Sequence, residues 1–149
     1  MRIIESEKLR QYLLGKFPRL NLDRLRLSDI PNLLPPYEYL KKMVEEHSSK
    51  EIVFKSHIGE CEEYTCYLRS DIKKARHVAA NRGLIPVEEM YSLTIGESDG
   101  ILNNKFYKNE YHTMDVAVTD DMKIWYIENQ TATIYPYNLK HFDIYRIWM

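Results

Sequence analysis

The sequence predicts an α+β fold in which a central helix packs on an antiparallel sheet and is preceded by N-terminal helices. Two observations carry this prediction. Residues 61–79 repeat apolar or aromatic side chains at steps of three or four residues, which is the spacing of one buried helical face. Residues 112–149 instead alternate apolar and polar side chains, as strands do, and turn residues interrupt them.

The first fifty residues are predicted to be helical. SEKLRQYLLGKF fits one helix, and PPYEYLKKMVEEHSS fits a second, because Pro36 suits the first turn of a helix. LSDIPNLLPP is predicted to be a proline-bounded connection between them, and EIVF after it fits a short strand. We expect one domain over residues 1–149, with 1–50 as its helical N-terminal portion and 51–149 as its core.

The central helix is predicted to begin at Cys61 and to stop within NRGLIP. Gly83 suits the left-handed residue that follows a helix, and Pro86 prevents any continuation. MYSLTIGE is then predicted as a strand and SDGILNNKFYKNEY as a loop, because the latter is polar and contains glycine and asparagine. The remaining strands are HTMDVAV, KIWYIENQTATIY and the terminal HFDIYRIWM.

Composition argues against several classes of partner. The 21 basic and 22 acidic residues leave a net charge of -1, which provides no overall field for nucleic acid or an acidic membrane. No apolar run approaches the roughly 20 residues that cross a bilayer, and the N-terminus lacks the apolar core of a signal peptide. The sequence therefore predicts a cytoplasmic protein. Two cysteines five positions apart on a helix predict neither a disulfide nor a zinc site, and no metal or cofactor is expected.

Cys61 is placed where a helix favours a reactive thiolate. The first turn of a helix offers unpaired N–H groups and the positive end of the helix dipole. Cys66, in contrast, is predicted to be a structural residue. Two histidines are candidates for a base that would act with Cys61: His57, which precedes the helix, and His112, which opens a strand. Because Met114 and its alternate neighbours are apolar, His112 is expected to project toward a covered face.

Strand parity relates His112 to Glu128. If the hairpin loop is Asp120–Met122, Val118 lies opposite Ile124, and Glu128 becomes a diagonal neighbour of His112 on the same face. A loop with an even number of residues would place the two side chains on opposite faces. The sequence therefore predicts an odd-residue loop and an imidazole beside a carboxylate.

Three short motifs, CEEY, HTMDV and IENQT, resemble a known family over roughly residues 55–135. They are similar to motifs of the papain-like superfold, in its transglutaminase-like branch. They resemble most the papain-like domain of the fairy-ring mushroom agglutinin and related phage and bacterial proteins. The resemblance implies a papain-like core and a phage-related or virus-related origin.

The resemblance also implies a cysteine-dependent acyl-transfer enzyme, a cysteine peptidase or transglutaminase-like protein, that hydrolyses amide or peptide bonds of a protein or peptide substrate. Cys61 would attack the carbonyl carbon, His112 would take and return the proton, and Glu128 would orient the imidazole. Gln130 and His57 are both candidates for the side chain that binds the oxyanion. This mechanism requires the amino end of the central helix to dock beside His112. The alternative is a catalytically inactive papain-like fold that serves as a protein-binding or virion-associated module.

Overall fold

The computed structural model describes residues 1–28, 30–47, 61–86, 91–103, 108–138 and 140–149, and for residues 61–64 the backbone alone. The described elements are, in chain order, β1 (Arg2–Ile4), α1 (Ser6–Lys16), a short 3-10 helix (Leu22–Arg24), β2 (Leu25–Arg26), β3 (Asn32–Leu34), α2 (Tyr37–His47), α3 (Cys61–Asn81), β4 (Ser92–Leu93), β5 (Ile95–Leu102), β6 (Glu110–Val118), β7 (Ile124–Glu128), β8 (Thr133–Pro136) and β9 (Phe142–Trp148). This mixture of helices and sheets confirms the α+β class. The predicted strand EIVF lies outside the described residues.

The strands form two sheets. The larger sheet has six strands in the order β2-β9-β5-β6-β7-β8, and the smaller one has the order β1-β3-β4. Strands β5 to β9 pair antiparallel, as predicted, whereas β2 joins the edge of the larger sheet parallel to β9. No helix within the described part of the chain combines the length and the apolar character needed to cross a membrane.

Each face of the six-stranded sheet has its own apolar core. On the α1 face, Met114 and Val116 of β6 pack in one cluster with the buried side of α1. On the α3 face, Ala117 and Ile127 pack in a second cluster with Leu68 of α3 and with α2. Successive side chains of a strand point to opposite faces, so the even-numbered residues of β6 face α1 and the odd-numbered ones face α3.

The first fifty residues contain more than helices. The predicted connection LSDIPNLLPP includes β3, whose Leu33 and Leu34 are buried between other elements. The predicted loop SDGILNNKFYKNEY likewise begins inside β5, which pairs with both β6 and β9. Its buried Ser98 donates a hydrogen bond to the Met114 carbonyl at 2.8 Å. Both predictions were wrong because pairing and burial by distant residues outweighed the local signals of proline, glycine and polar side chains.

The end of α3 is as predicted. Gly83 has a φ of 67°, and its N–H donates to the Ala80 carbonyl at 2.9 Å. The N–H of Leu84 donates to the Ala79 carbonyl at 2.9 Å. This pair of bonds is the Schellman arrangement, which satisfies carbonyls that the helix leaves open.

Candidate functional site

The β6–β7 hairpin has the register that an odd loop requires. Val118 pairs with Ile124, and the N–H of Thr119 donates to the Lys123 carbonyl at 2.9 Å. Met122 completes the turn with a φ of 61°. The prediction of an odd-residue loop is therefore confirmed.

His112 and Glu128 meet as this register predicts. Nε2 of His112 lies 3.2 Å from Oε2 of Glu128, and each side chain is 24% exposed. The ring of Phe142 lies edge-on to the imidazole, with 6.4 Å between ring centroids. Gly100 lies opposite His112 in β5, and a Cβ there would overlap the Phe142 ring. By strand parity the pair belongs to the α1 face, together with Met114.

The body of α3 lies on the other face of the sheet. Leu68 and Ile72 of this helix pack against the cluster that contains Ala117 and Ile127. Cys61 is the first residue of α3, but its side chain lies outside the described part of the structure. Contact between its sulfur and His112 therefore stays a prediction.

Three other sequence expectations have different outcomes. His57 lies outside the described residues. Gln130, which was expected to face inward on a strand, instead lies in the turn that follows β7, because β7 ends at Glu128. Cys66, which was expected to be a structural residue, is an exposed free thiol on α3.

A cluster of charged residues connects α3 with the sheet. Glu97 of β5 receives hydrogen bonds from Arg69 of α3 at 3.3 Å and from Arg146 of β9 at 2.9 Å. Arg69 also donates to the backbone carbonyl of Trp148 at 3.2 Å. The Arg69 guanidinium is thus held between a carboxylate and the end of β9.

Asp115 lies beside this cluster and has no hydrogen bond to any residue that the structure describes. It is paired with Glu97 across the β5–β6 ladder, it is fully buried, and neither of its carboxylate oxygens accepts a hydrogen bond within the described part of the chain. Burial raises the pKa of Asp115 well above its usual value; Arg69 opposes this rise, and the negative charges of Glu97 and Glu128 add to it. Burial of Asp115 therefore opposes its ionisation.

A groove of about 340 Å³ opens between α3 and the β4–β5 edge, and we call it the α3 groove. Its floor is apolar, since Leu93 and Ile95 are buried there. None of its described lining residues is an aspartate or glutamate. Basic and polar side chains line the groove together with apolar ones on its floor and rim. The lining residues are Arg69, Ser70, Ile72, Lys73, Arg76, His77, Tyr91, Ser92, Leu93, Ile95 and Met149.

The basic residues of the groove differ in how firmly they are held. Arg76 is 8% exposed, and its guanidinium donates to the Tyr39 hydroxyl of α2 at 3.2 Å. Lys73 and His77 are exposed, one helical turn apart. Sequence analysis missed this site, although basic residues at steps of three or four within RSDIKKARH are a signal for one charged helical side.

No family model and no curated protein matches this chain in sequence. Its fold matches solved structures. Polyporus squamosus lectin bound to the human-type influenza-binding epitope Neu5Acα2-6Galβ1-4GlcNAc matches 99% of the chain, with a TM-score of 0.68 and 16% identity. A complex of PSL1a with E64 also matches 99% of the chain, with a TM-score of 0.67 and 15% identity. The chain spans about half the length of these proteins, 49% and 51% respectively.

These structures correct the resemblance that was inferred from short motifs. The fold is shared with a protein described as a lectin bound to a glycan and not as a peptidase. The identification as a papain-like or transglutaminase-like cysteine peptidase is contradicted, and so is the acyl-transfer function that followed from it. The papain-like core, the peptide substrate and the phage origin find no support. Motifs of four or five residues describe local geometry, and local geometry does not determine function.

Proposed function

We propose that this chain is a binding module that takes an acidic carbohydrate in the α3 groove. The observation that carries the proposal is a groove with four basic side chains and an apolar floor, to which the described residues contribute no acidic side chain. Its volume of about 340 Å³ lies at the lower end of the range of roughly 300–1,000 Å³ that small-ligand pockets occupy.

The groove lining offers partners for the carboxylate, the polar side and the apolar side of an acidic sugar. A guanidinium or ammonium group forms charge-assisted hydrogen bonds with a carboxylate, and a guanidinium does so in a planar, two-pronged geometry. Lys73 is exposed on the groove and can take this role. The apolar floor and the ring of Tyr91 provide surface for the apolar side of a sugar ring, and Ser92 provides a hydroxyl for its polar side.

The fold comparison supports carbohydrate as the ligand class. Polyporus squamosus lectin is described with a bound glycan that ends in Neu5Ac, a sugar that carries a carboxylate. Because this chain covers 49% of that protein, we infer the ligand of the α3 groove from the groove's own chemistry.

Calorimetric titration tests the proposal. The intact chain is expected to bind Neu5Acα2-6Galβ1-4GlcNAc at least about tenfold more tightly than the neutral disaccharide Galβ1-4GlcNAc, because only the first forms charge-assisted hydrogen bonds. Lys73→Glu should weaken binding of the sialylated glycan by a similar factor. Lys74→Glu is the matched control, since Lys74 lies on the adjoining surface with Val78 and Leu84. Equal binding of both glycans, or an unchanged affinity in Lys73→Glu, would overturn the proposal.

The same preparation tests whether Cys61 makes the protein an enzyme. For a binding module we expect equal, slow labelling of Cys61 and Cys66 by iodoacetamide and no hydrolysis of a general peptide substrate. Peptide hydrolysis that is lost in Cys61→Ala but kept in Cys66→Ala would contradict the binding-module proposal.

A further inference from the structure

We propose that the ligand is an extended acidic polysaccharide that continues from the α3 groove onto a second cationic site at the edge of the sheet. This inference rests on the function proposed above. The second site consists of Arg26, Trp148 and Arg146, and we call it the Trp148 stack.

The pairing of β2 with β9 places Arg26 beside Trp148 in the Trp148 stack. Arg26 of β2 is the parallel partner of Trp148 of β9. The guanidinium of Arg26 lies 5.2 Å from the centroid of the indole ring, and that of Arg146 lies 4.4 Å from it. Both distances are within the range in which a cation is attracted to the face of an aromatic ring. The indole therefore holds two guanidinium groups at defined positions.

The α3 groove and the Trp148 stack adjoin each other. Arg69 lines the groove and donates to the backbone carbonyl of Trp148 at 3.2 Å. Met149 lines the groove as well, and its N–H donates to the Arg26 carbonyl at 2.9 Å. A chain of sugars that leaves the groove past Met149 therefore reaches Arg26 next.

The charges of the stack are not equivalent. Arg146 forms ion pairs with Glu97 and Asp99, which hold its guanidinium and neutralise it. Arg26 is exposed, and it has no ion pair within the described part of the chain. Arg26 is thus the cation of the stack that remains available for a ligand carboxylate or sulfate.

The arrangement favours an acidic polysaccharide over a nucleic acid. Nucleic-acid sites neutralise many closely spaced phosphates with a dense basic surface, and such domains are usually strongly basic. This chain has a net charge of -1, and acidic residues neutralise Arg146 and hold Arg69. Two cationic sites that adjoin at Met149 match a polymer whose acidic groups are spaced by sugar rings.

Titration with α2,8-linked sialic-acid oligomers of increasing length tests the inference. We expect the affinity of the intact chain to rise at least about tenfold from the monomer to the longest oligomer, because the second contact becomes intramolecular. Arg26→Gln should remove most of this gain. Arg26→Glu is a second variant with the same expected direction, and circular dichroism checks the fold of both. Lys8→Glu is the control, since Lys8 is exposed on α1, which packs on the other face of the sheet.

The possible results separate this inference from the proposed function. An affinity that does not rise with length, or a gain that survives in Arg26→Gln, would overturn the extended site and leave the groove proposal standing. An affinity for the monomer that is the same in Lys73→Glu as in the wild type would overturn the proposed function itself. Tighter binding of an oligothymidylate of equal charge than of the sialic-acid oligomer would overturn the choice of polysaccharide.

Discussion

Asp115 and His112 lie three positions apart on β6 and project from opposite faces of the sheet. His112 reaches Glu128 on the α1 face, where both side chains keep some exposure. Asp115 points to the α3 face, where it is fully buried and has no hydrogen bond among the residues with described positions. The alternation along β6 is readable in the sequence. The burial of Asp115 is not, because it depends on helices whose residues lie far away in the chain.

Asp115→Asn is expected to raise the free energy of unfolding at neutral pH. Burial raises the pKa of Asp115 in the folded state, so this carboxyl stabilises the fold while it is protonated, and that contribution is lost as pH rises through the folded-state pKa. The amide of the Asn variant does not ionise as pH rises. The excess of its free energy of unfolding over that of the wild type should therefore be small near about pH 4 and should grow toward neutral pH. Urea denaturation across this range measures it.

Asp71→Asn serves as the control for that measurement, because Asp71 is exposed on α3. Its stability relative to the wild type should change little with pH. A wild-type protein that gains stability over Asp115→Asn as pH rises would show that the buried carboxyl is satisfied and charged in the folded state.

At the scale of elements, the sequence predicts the first and last residues of helix α3 correctly, but it does not predict all of its buried side chains. Its start at Cys61 and its end before Gly83 agree with the sequence. The predicted buried stripe contained Ala75, whereas the structure buries Arg76 at 8% exposure beside Tyr39. Periodicity predicts that a helix has a buried side, but the neighbouring helix α2 decides how that side is oriented.

Gly96 of β5 is a position where two elements approach closely. A Cβ there would overlap the Trp148 carbonyl and the Met149 side chain, so β9 must move to accommodate one. We expect Gly96→Ala to lower the free energy of unfolding by about 1–3 kcal/mol, the usual cost of overpacking. Gly15→Ala is the matched control, because a Cβ at Gly15 of α1 meets no atom within 4 Å. It should be neutral or stabilising in the same urea titration, and a Gly96→Ala variant as stable as wild type would exclude the close approach.

At the scale of the whole molecule, the first fifty residues are built into both faces of the large sheet. α1 contributes Leu13 to the core of the α1 face, and β3 contributes Leu33 to the core of the α3 face. β2 adds a strand to the sheet edge. Residues 1–50 therefore contribute to the same two apolar cores as residues 51–149. That residues 1–149 form one domain stays a prediction.

Leu13→Ala tests how much α1 contributes to the stability of the sheet. Leu13 is fully buried, so its truncation is expected to lower the free energy of unfolding by about 2–5 kcal/mol. Lys8→Ala in the same helix should stay within about 0.5 kcal/mol of wild type, because Lys8 is exposed. Chemical denaturation measures both. Similar values for the two variants would mean that α1 does not cover the sheet.

The sequence by itself determined the α+β class, the limits of α3 and the register that brings His112 to Glu128. Each of these depends on periodicity, turn geometry or parity, which neighbouring residues encode. Only the tertiary structure decided that α1 and α3 cover opposite faces, that β5 pairs with two strands, and that Arg69, Lys73, Arg76 and His77 line a groove with Leu93 and Ile95. These features arise from contacts between distant parts of the chain, so no short motif contains them.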